Sequence, residues 1–379
     1  MLHEFKKRVL NPLIKTLWPE ITQDKWHDWR WQLAHRIVTS QELHPLGWFD
    51  QQDLQERLGV EERFPMSVTP YYLSLTTGPW DPVARQFLPD PRETSFRLPG
   101  SEPDPLAEKA HMPVPGLIHR YPDRALVLFS STCAVRCRHC NRKRTWKEPE
   151  LLPNVEYLEK VAGYIDRTSS IREVILSGGD PLMRGPGLLD WFMGLLRQIP
   201  HVEVLRIGTR VPVVLPMRIT RRLCRVLERH RPLWINTHFN HPVELTPEAR
   251  IACERLTRAG LPVSNQTVLL KGVNDRLDVI LSLCQGLQQM SVRPYYLFHC
   301  DSVIGTDHFR THLKKGIEII EGMWGRSGGL TIPNFVVDLP HGGGKAMMLP
   351  SYLLEIDKDE AIFRTFDGKI IRYKGARGA

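Results

Sequence analysis

Short apolar runs alternate with longer amphipathic stretches through the middle of this chain. The first run, residues 124–130, is continuous and contains β-branched and aromatic side chains, which indicates a strand buried on both faces. Similar runs follow at residues 173–176, 202–207, 233–236, 263–268 and 293–297. Amphipathic stretches separate them, including residues 188–198, 247–259 and 276–289. Six β/α units of this kind predict an α/β fold in which a parallel sheet curls into a partial (β/α)6 barrel.

The chain before the barrel divides into two predicted segments. Residues 1–88 have a helical pattern rich in tryptophan, and Asp24 is a candidate N-cap for a helix that begins near Trp26. Residues 89–116 are crowded with Pro, Gly, Asp and Glu, which predicts a linker or wrapping segment. The barrel itself is expected over residues 117–345.

The C-terminal part carries two further signals. A short strand is expected at residues 334–338, near the mouth of the barrel. Residues 346–379 are predicted to form a short arm, because an Asp367-Gly368 turn there joins two alternating apolar runs and so indicates a β-hairpin.

Composition narrows the class of protein. The chain has 379 residues, 42% hydrophobic and 25% charged, as in an ordinary globular protein. No apolar stretch reaches the length of a membrane span, and the charged start lacks the apolar core of a signal peptide, so we expect a cytoplasmic protein with no membrane partner. The net charge of +9 would allow nucleic-acid binding, but the longest basic run, 142–144, lies beside a cysteine cluster and there is no basic tail. We therefore expect no nucleic-acid partner.

The cysteine cluster is the most informative motif. Cys133, Cys137 and Cys140 have a Cx3Cx2C spacing on one short loop, directly after the first predicted strand. Three thiolates at this spacing can hold three irons of a [4Fe–4S] cluster and leave the fourth iron open to a small molecule. A structural zinc loop is the alternative, but zinc usually takes a second, distant cysteine pair, which this sequence lacks.

Residues 131–144, from Ser131 through the three cysteines to a basic run, resemble the radical S-adenosylmethionine family, and in particular its lysine 2,3-aminomutase branch. The resemblance implies a barrel of the radical SAM type. It also implies that the open iron binds S-adenosylmethionine, which an electron then splits to a 5′-deoxyadenosyl radical. Some of these relatives hold a structural zinc through cysteines that are absent here, so no zinc is predicted.

The resemblance also extends to the residues around S-adenosylmethionine. A turn of two glycines after the second strand lets the backbone approach a ligand closely. By likeness to the family, this turn and the polar residues beside it are assigned to the cofactor, as is the residue before the third cysteine. The residues are Ser177, Gly178, Gly179, Asp180 and His139, with His238 and Gln266 as weaker matches after later strands.

A second cofactor is implied by a lysine on a glycine loop, residues 340–345. The loop lacks the GxxxxGK[ST] pattern of a phosphate loop. A lysine on such a loop can instead form a Schiff base with pyridoxal phosphate. The likeness to aminomutases assigns this role, which we count as the catalytic one, to Lys345. It assigns the phosphate to Arg120, Tyr121 and Arg124, whose side chains suit that group.

The substrate is indicated by three charged residues. By the same resemblance, Arg142 pairs with the α-carboxylate of an amino acid, and Asp301 and Asp338 hold a distant ammonium. Two carboxylates would repel the side chain of glutamate, which favours lysine. Asp104 matches an acidic residue of the family's N-terminal arm, without an assigned role.

These observations predict an L-lysine 2,3-aminomutase, an isomerase that uses S-adenosylmethionine, a [4Fe–4S] cluster and pyridoxal phosphate. An electron donor such as flavodoxin or ferredoxin and a homo-oligomer are implied as partners. Four alternatives stay open: a lysine mutase that serves elongation factor P modification, an aminomutase for another amino acid, an RNA-modifying radical enzyme, and a non-catalytic cluster protein.

Overall fold

A single open sheet of nine strands forms the framework of the protein. The computed structural model describes residues 11–147, 154–357 and 359–375. Each strand of this sheet pairs with its neighbours in the chain, in the order β1 to β9. The strands are β1 (Leu117–Tyr121), β2 (Arg124–Ser130), β3 (Glu173–Gly178), β4 (Val204–Gly208), β5 (Leu233–Thr237), β6 (Val263–Leu269), β7 (Arg293–His299), β8 (Asn334–Leu339) and β9 (Gly344–Met347).

The strands from β2 to β8 are parallel, and the two edge strands, β1 and β9, are antiparallel to their neighbours. The predicted α/β barrel is therefore confirmed, and all six predicted strands form. The strand expected near the mouth is β8, which pairs in parallel with β7 and adds a seventh parallel strand. The helix before β8, residues Leu313–Met323, completes a seventh β/α unit. This helix was not predicted from the sequence.

Helices connect the parallel strands and pack on their outer faces. The longer ones are α7 (Val155–Asp166), α8 (Pro186–Arg197), α10 (Arg221–Glu228), α11 (Pro247–Arg258), α12 (Leu277–Gln289) and α13 (Leu313–Met323), and α9 (Val211–Val214) is a single turn. Their buried faces are apolar, as in α8, where Leu189, Phe192, Met193 and Leu196 point inward. Because burial of such side chains stabilises by about 1.5–3 kcal/mol each, this helical layer holds the strands in one curved sheet.

The N-terminal region consists of short helices: α1 (Pro12–Leu17), α2 (Gln23–Trp26), α3 (Trp29–Ala34), α4 (Gln51–Arg63) and α5 (Pro70–Leu73). Asp24 lies inside α2 and is not its N-cap; the side chain of Thr22 accepts the capping hydrogen bond instead. A second helix, α3, begins after Trp26 and is capped by Asp28. The expected single helix is thus two, each with its own capping residue.

Residues 89–116 contain only α6 (Arg92–Ser95) and a short 3-10 turn, so most of this segment is irregular. It is nevertheless anchored to the rest of the protein. Glu93 and Glu108 are buried, and Glu102 forms a bridge to Val303 beyond β7. The two buried acids face the loop that follows β2, where they pair with Arg138, Lys143 and Arg142.

The C-terminal arm is a separate three-stranded antiparallel sheet of β10 (Leu353–Ile356), β11 (Glu360–Arg364) and β12 (Ile370–Lys374). The predicted hairpin is β11 and β12, joined through the turn that contains Gly368, whose φ of +83° favours glycine. Within the described ranges, none of the helices is both long and apolar enough to cross a membrane.

Candidate active site

One cavity of about 530 Å3 occupies the interior of the barrel. Its lining runs from the loops after the strands down to Arg124 and Glu173, which begin β2 and β3. Every residue that the sequence nominated for the cluster, the cofactors or the substrate lines this cavity. Parallel strands end at the same rim of a sheet, which is why loops far apart in sequence meet here.

The three clustered cysteines lie on the loop after β2, and all are free thiols. The backbone N–H of Cys140 donates to the carbonyl of Cys137 at 2.8 Å, which keeps the loop tight. The four remaining cysteines, Cys224, Cys253, Cys284 and Cys300, are buried and free. Three thiols thus face one cavity.

Arg210, which sequence reasoning missed, donates from Nη1 to the sulfur of Cys137 at 2.8 Å. Its Nη2 donates to Glu244 at 2.9 Å and to the hydroxyl of Tyr72 at 2.9 Å. The carboxylate of Glu244 also accepts a hydrogen bond from Tyr72 at 2.5 Å. This buried network holds a cation against the cysteine loop, and Arg210 lies two residues beyond the end of β4.

Glu93 fixes the same loop from the other side. Its carboxylate accepts hydrogen bonds from Arg138 and Lys143, and all three side chains are fully buried. Arg138 also donates to the carbonyls of Phe64 and Pro65, while Lys143 donates to that of Gly305 at 2.7 Å. One carboxylate therefore ties the cysteine loop to the N-terminal region and to the loop after β7.

The glycine turn after β3 lies directly against the cysteine loop. A Cβ on Gly179 would lie 2.6 Å from the carbonyl oxygen of Thr132, and Gly178 has a φ of +108°. Side chains at these positions would separate the two loops. The carboxylate of Asp180 accepts hydrogen bonds from the hydroxyl of Thr209 at 2.7 Å and from the N–H of Arg210 at 2.7 Å. Asp180 thus joins the ends of β3 and β4, and the turn presents mainly backbone to the cavity.

Lys345 lies on β9, next to β8. Its Nζ is 2.7 Å from Asp338, whose carboxylate also accepts from Arg120 at 3.4 Å. Tyr121 lies between two guanidinium groups, with ring centroid distances of 5.0 Å to Arg120 and 4.0 Å to Arg124. The predicted phosphate residues and the predicted lysine therefore share one side of the cavity.

Asp301, two residues beyond β7, lies in the same charged group. Burial raises the pKa of its carboxyl to about 7, and the nearby Asp338 adds to this, while Lys345 and Arg120 oppose it. Among the residues that the structure describes, its carboxylate forms no ion pair. A buried carboxylate without a cation is costly, so this site favours a ligand that brings positive charge.

Arg142 is held by Glu108, a residue that the sequence analysis placed in a linker and did not nominate. Its Nε and Nη2 donate to Glu108 at 3.0 and 2.7 Å, and its Nη1 donates to the hydroxyl of Ser177 at 3.3 Å. Burial raises the pKa of Glu108, but Arg142 and Arg144 more than offset this and hold that pKa below its usual range. Arg144 also pairs with Asp104 at 3.4 Å.

Two histidines line the cavity in the neutral form. Burial, with the charge of Arg210, lowers the pKa of His238 to about 4. Its Nδ1 lies 3.0 Å from the carbonyl of Gln266, so Nδ1 carries the proton and Nε2 is left as an acceptor. Burial likewise lowers the pKa of His139 well below its usual value, and its Nε2 lies 3.3 Å from the amide of Asn240.

These donors fit the predicted cofactors. Three thiols on one loop suit a [4Fe–4S] cluster with an open iron, and Arg210 supplies an N–H to one sulfur. Two guanidiniums and a phenol suit a phosphate, and Lys345 lies in the same cavity.

Comparison with known proteins decides the family. The family description "Radical SAM superfamily" matches residues 127–284, and "Lysine-2,3-aminomutase" matches residues 320–377. The L-lysine 2,3-aminomutase of Clostridium subterminale is 44% identical over 359 residues, which cover 94% of this chain and 86% of that protein. That of Fusobacterium nucleatum subsp. nucleatum is 43% identical over 361 residues, which cover 95% and 85%. This chain belongs to the lysine 2,3-aminomutase family.

The lysine 2,3-aminomutase family confirms the expected radical SAM fold, isomerase class and cofactor set of [4Fe–4S] cluster, S-adenosylmethionine and pyridoxal phosphate. A more distant relative is the glutamate 2,3-aminomutase of Clostridioides difficile. It is 36% identical over 353 residues, which cover 93% of this chain and 83% of that protein. The roles of individual residues stay predictions.

Replacing Glu93 by Ala should lower the free energy of unfolding by roughly 3–5 kcal/mol, because it leaves two buried cations without a counter-charge. Denaturant unfolding of the cofactor-free protein measures this. Glu156→Ala is the matched control, since Glu156 pairs with Lys160 on the surface and should change stability by less than about 0.5 kcal/mol. Similar losses in both variants would contradict the assignment.

Replacing Cys137 by Ala should abolish the cleavage of S-adenosylmethionine under reducing conditions, because one of the three thiolate ligands is lost. Iron content and release of 5′-deoxyadenosine after anaerobic reconstitution measure the effect. Cys253→Ala, at a buried cysteine on α11, should retain both. Full cleavage by the Cys137 variant would disprove the cluster loop.

Proposed function

We propose that the protein is an L-lysine 2,3-aminomutase, which moves the α-amino group of lysine to the β-carbon and yields β-lysine. The observation that carries this proposal is the pair Asp301 and Asp338, which line the same cavity as the three cysteines and Lys345. The reaction is an isomerisation, so it needs no net donor or acceptor of hydrogen. When bound, the cofactors supply a radical that takes a hydrogen atom from Cβ and a conjugated carrier for the migrating nitrogen.

The protein's own task is to hold both ends of the substrate. Arg142, oriented by Glu108, offers Nη1 towards Ser177 and Gly178 and is the group we assign to the α-carboxylate. Asp301 and Asp338 are assigned to the side-chain ammonium. With both ends held, Cβ is fixed with respect to the cysteine loop, and such positioning is the main contribution that a protein makes to radical chemistry of this kind.

Charge distinguishes lysine from its competitors. A side-chain ammonium would neutralise the buried Asp301, whereas a glutamate side chain would add a third carboxylate beside Asp301 and Asp338. The family contains enzymes of both kinds by name. The two aspartates therefore support lysine over glutamate, and an anaerobic assay of lysine, glutamate, arginine and alanine tests the choice.

An RNA substrate receives less support from the charges around the cavity. Arg142, Arg144, Arg138 and Lys143 each pair with a buried carboxylate, Glu108 or Glu93. Cations that are already neutralised do not attract a phosphate backbone strongly. A small amino acid fits the cavity of about 530 Å3 without such attraction.

We also propose a reducing compartment, an external electron donor and self-association. The seven cysteines are all free, which fits a reducing cytoplasm. Large apolar side chains on the C-terminal sheet, such as Leu354, Ile356 and Ile370, are more than half exposed and offer a surface for a second copy. Analytical ultracentrifugation tests the association.

Borohydride treatment of the protein reconstituted with pyridoxal phosphate should attach the cofactor covalently to Lys345. This lysine shares the cavity with the predicted phosphate residues. Peptide mapping identifies the labelled residue. Lys271→Arg should keep the label and Lys345→Arg should lose it; a label on any other lysine would contradict the assignment.

Asp301→Asn or Asp338→Asn should raise the KM for lysine by about a hundredfold or more, since a buried ammonium that loses one carboxylate costs roughly 3–5 kcal/mol. Steady-state kinetics with lysine, arginine and alanine measure this. Asp278→Asn, an exposed aspartate on α12, is the control and should leave KM unchanged. If both cavity variants keep the wild-type preference for lysine, the substrate assignment fails.

The KM for lysine should rise as pH falls below about 7. The pKa of Asp301 is raised to about 7 in the substrate-free protein, so the carboxyl is neutral below that pH and charged above it. The side-chain ammonium of lysine stays charged across this range, so its own titration does not weaken binding on the acid side. A profile of KM from pH 6 to 8 should flatten in Asp301→Asn; an unchanged slope in that variant would exclude Asp301 as the titrating group.

A further inference from the structure

The cations around the cysteine loop differ in whether a carboxylate pairs with them. Four of them are paired: Arg138 and Lys143 with Glu93, and Arg142 and Arg144 with Glu108. Arg36 and Arg136 differ, because neither forms an ion pair with any residue that the structure describes. Both are partly exposed. Within the described residues, the loop therefore has paired cations on one side and two arginines without an acidic partner on the other.

Arg36 and Arg136 both contact the backbone of the cysteine loop or of the turn that follows it. Arg36, which follows α3, donates from Nη1 to the carbonyl of Cys133 at 2.9 Å. Arg136 lies between Cys133 and Cys137, and its Nη2 donates to the carbonyl of Trp146 at 3.0 Å. Carbonyl oxygens orient these guanidiniums without neutralising them, so each keeps its full charge.

The surface beside them leads directly to a cluster ligand. Ser131 and Thr132, which precede Cys133, are exposed, and so is His35, which precedes Arg36. Cys133 therefore directly follows two exposed residues on this side of the loop. The clustered cysteines are the one Cys-rich motif of the sequence, so an electron for the cluster must come from outside the chain.

We propose that Arg36 and Arg136 mark the face on which an acidic one-electron carrier protein docks to reduce the cluster. The inference rests on the cluster of the proposed function but not on the choice of amino acid. The carrier is oxidised by one electron and the cluster is reduced by one. Positive charge at the entry point raises the association rate with an acidic partner, and salt screens this effect.

Stopped-flow reduction of the reconstituted cluster tests the proposal, with no amino acid present. The probe is an acidic flavodoxin in its hydroquinone form, and the control reductant is the cationic radical of methyl viologen. In Arg36→Gln/Arg136→Gln the rate constant with flavodoxin should fall by roughly tenfold at low ionic strength and approach the wild-type value at high salt. The rate constant with methyl viologen should not fall.

Arg222→Gln, an exposed arginine on the outer helix α10, is the matched control and should reduce at wild-type rates with both reagents. An unchanged rate with flavodoxin in the double variant overturns the proposal. So does an equal slowing with both reagents, which would mean that the arginines only support the loop. A shifted midpoint potential that accounts for the slower rate would instead make them residues that tune the cluster.

If the double variant fails to hold iron, Arg36→Gln is the second variant, because it leaves the sequence of the cysteine loop unchanged. Its rate constant with flavodoxin should fall by roughly threefold at low ionic strength, and its rate constant with methyl viologen should not fall. Reduction of the wild-type protein by flavodoxin should also slow as ionic strength rises. An unchanged flavodoxin rate in Arg36→Gln, or a wild-type rate that is insensitive to salt, overturns the proposal. Turnover of lysine is not involved, so an incorrect substrate assignment would leave these results unaffected.

Discussion

A single buried carboxylate, that of Glu93, connects the cysteine loop to the N-terminal region and to the loop after β7. It lies between Arg138 and Lys143, which flank the third cysteine of the loop after β2. Arg138 also donates to the carbonyl of Phe64 in the N-terminal region, and Lys143 donates to that of Gly305 beyond β7. Removing charges from water is costly, so this arrangement forms only when all its members are present together. The shape of the cysteine loop therefore depends on segments distant in sequence.

A second set of charges organises the cavity itself. Glu108 orients Arg142, and Lys345 and Arg120 share Asp338. Asp301 forms no ion pair within the described residues, although Lys345 and Arg120 act on its charge. One oriented guanidinium and two carboxylates match the charges of an amino acid with a cationic side chain, which supports lysine as the substrate. Four residues of this group, Arg120, Asp301, Asp338 and Lys345, lie on or within two residues of β1, β7, β8 and β9.

The barrel could be predicted from the sequence because buried parallel strands are recorded as continuous apolar runs such as residues 124–130. The cysteine spacing and the lysine on its glycine loop are local patterns, so they too could be recognised. Glu93, Glu108 and Arg210 could not, because their partners lie 45, 34 and 73 residues away and nothing near them in sequence marks the contact. For Asp180, the motif could be recognised in the sequence but the contacts of the side chain could not. Its carboxylate accepts hydrogen bonds from Thr209 and Arg210.

The ion pair between Lys345 and Asp338 has a consequence for how the cavity fills. Asp338 has one ammonium partner that the chain itself supplies. Once Lys345 holds pyridoxal phosphate, as proposed above, its nitrogen is committed to that cofactor, and Asp338 keeps only Arg120, at 3.4 Å, as an ion-pair partner among the described residues. A substrate with a cationic side chain would supply the charge that the carboxylate has lost, whereas an amino acid with an uncharged side chain would not. Loading of the cofactor and recognition of the substrate would therefore be coupled through one carboxylate.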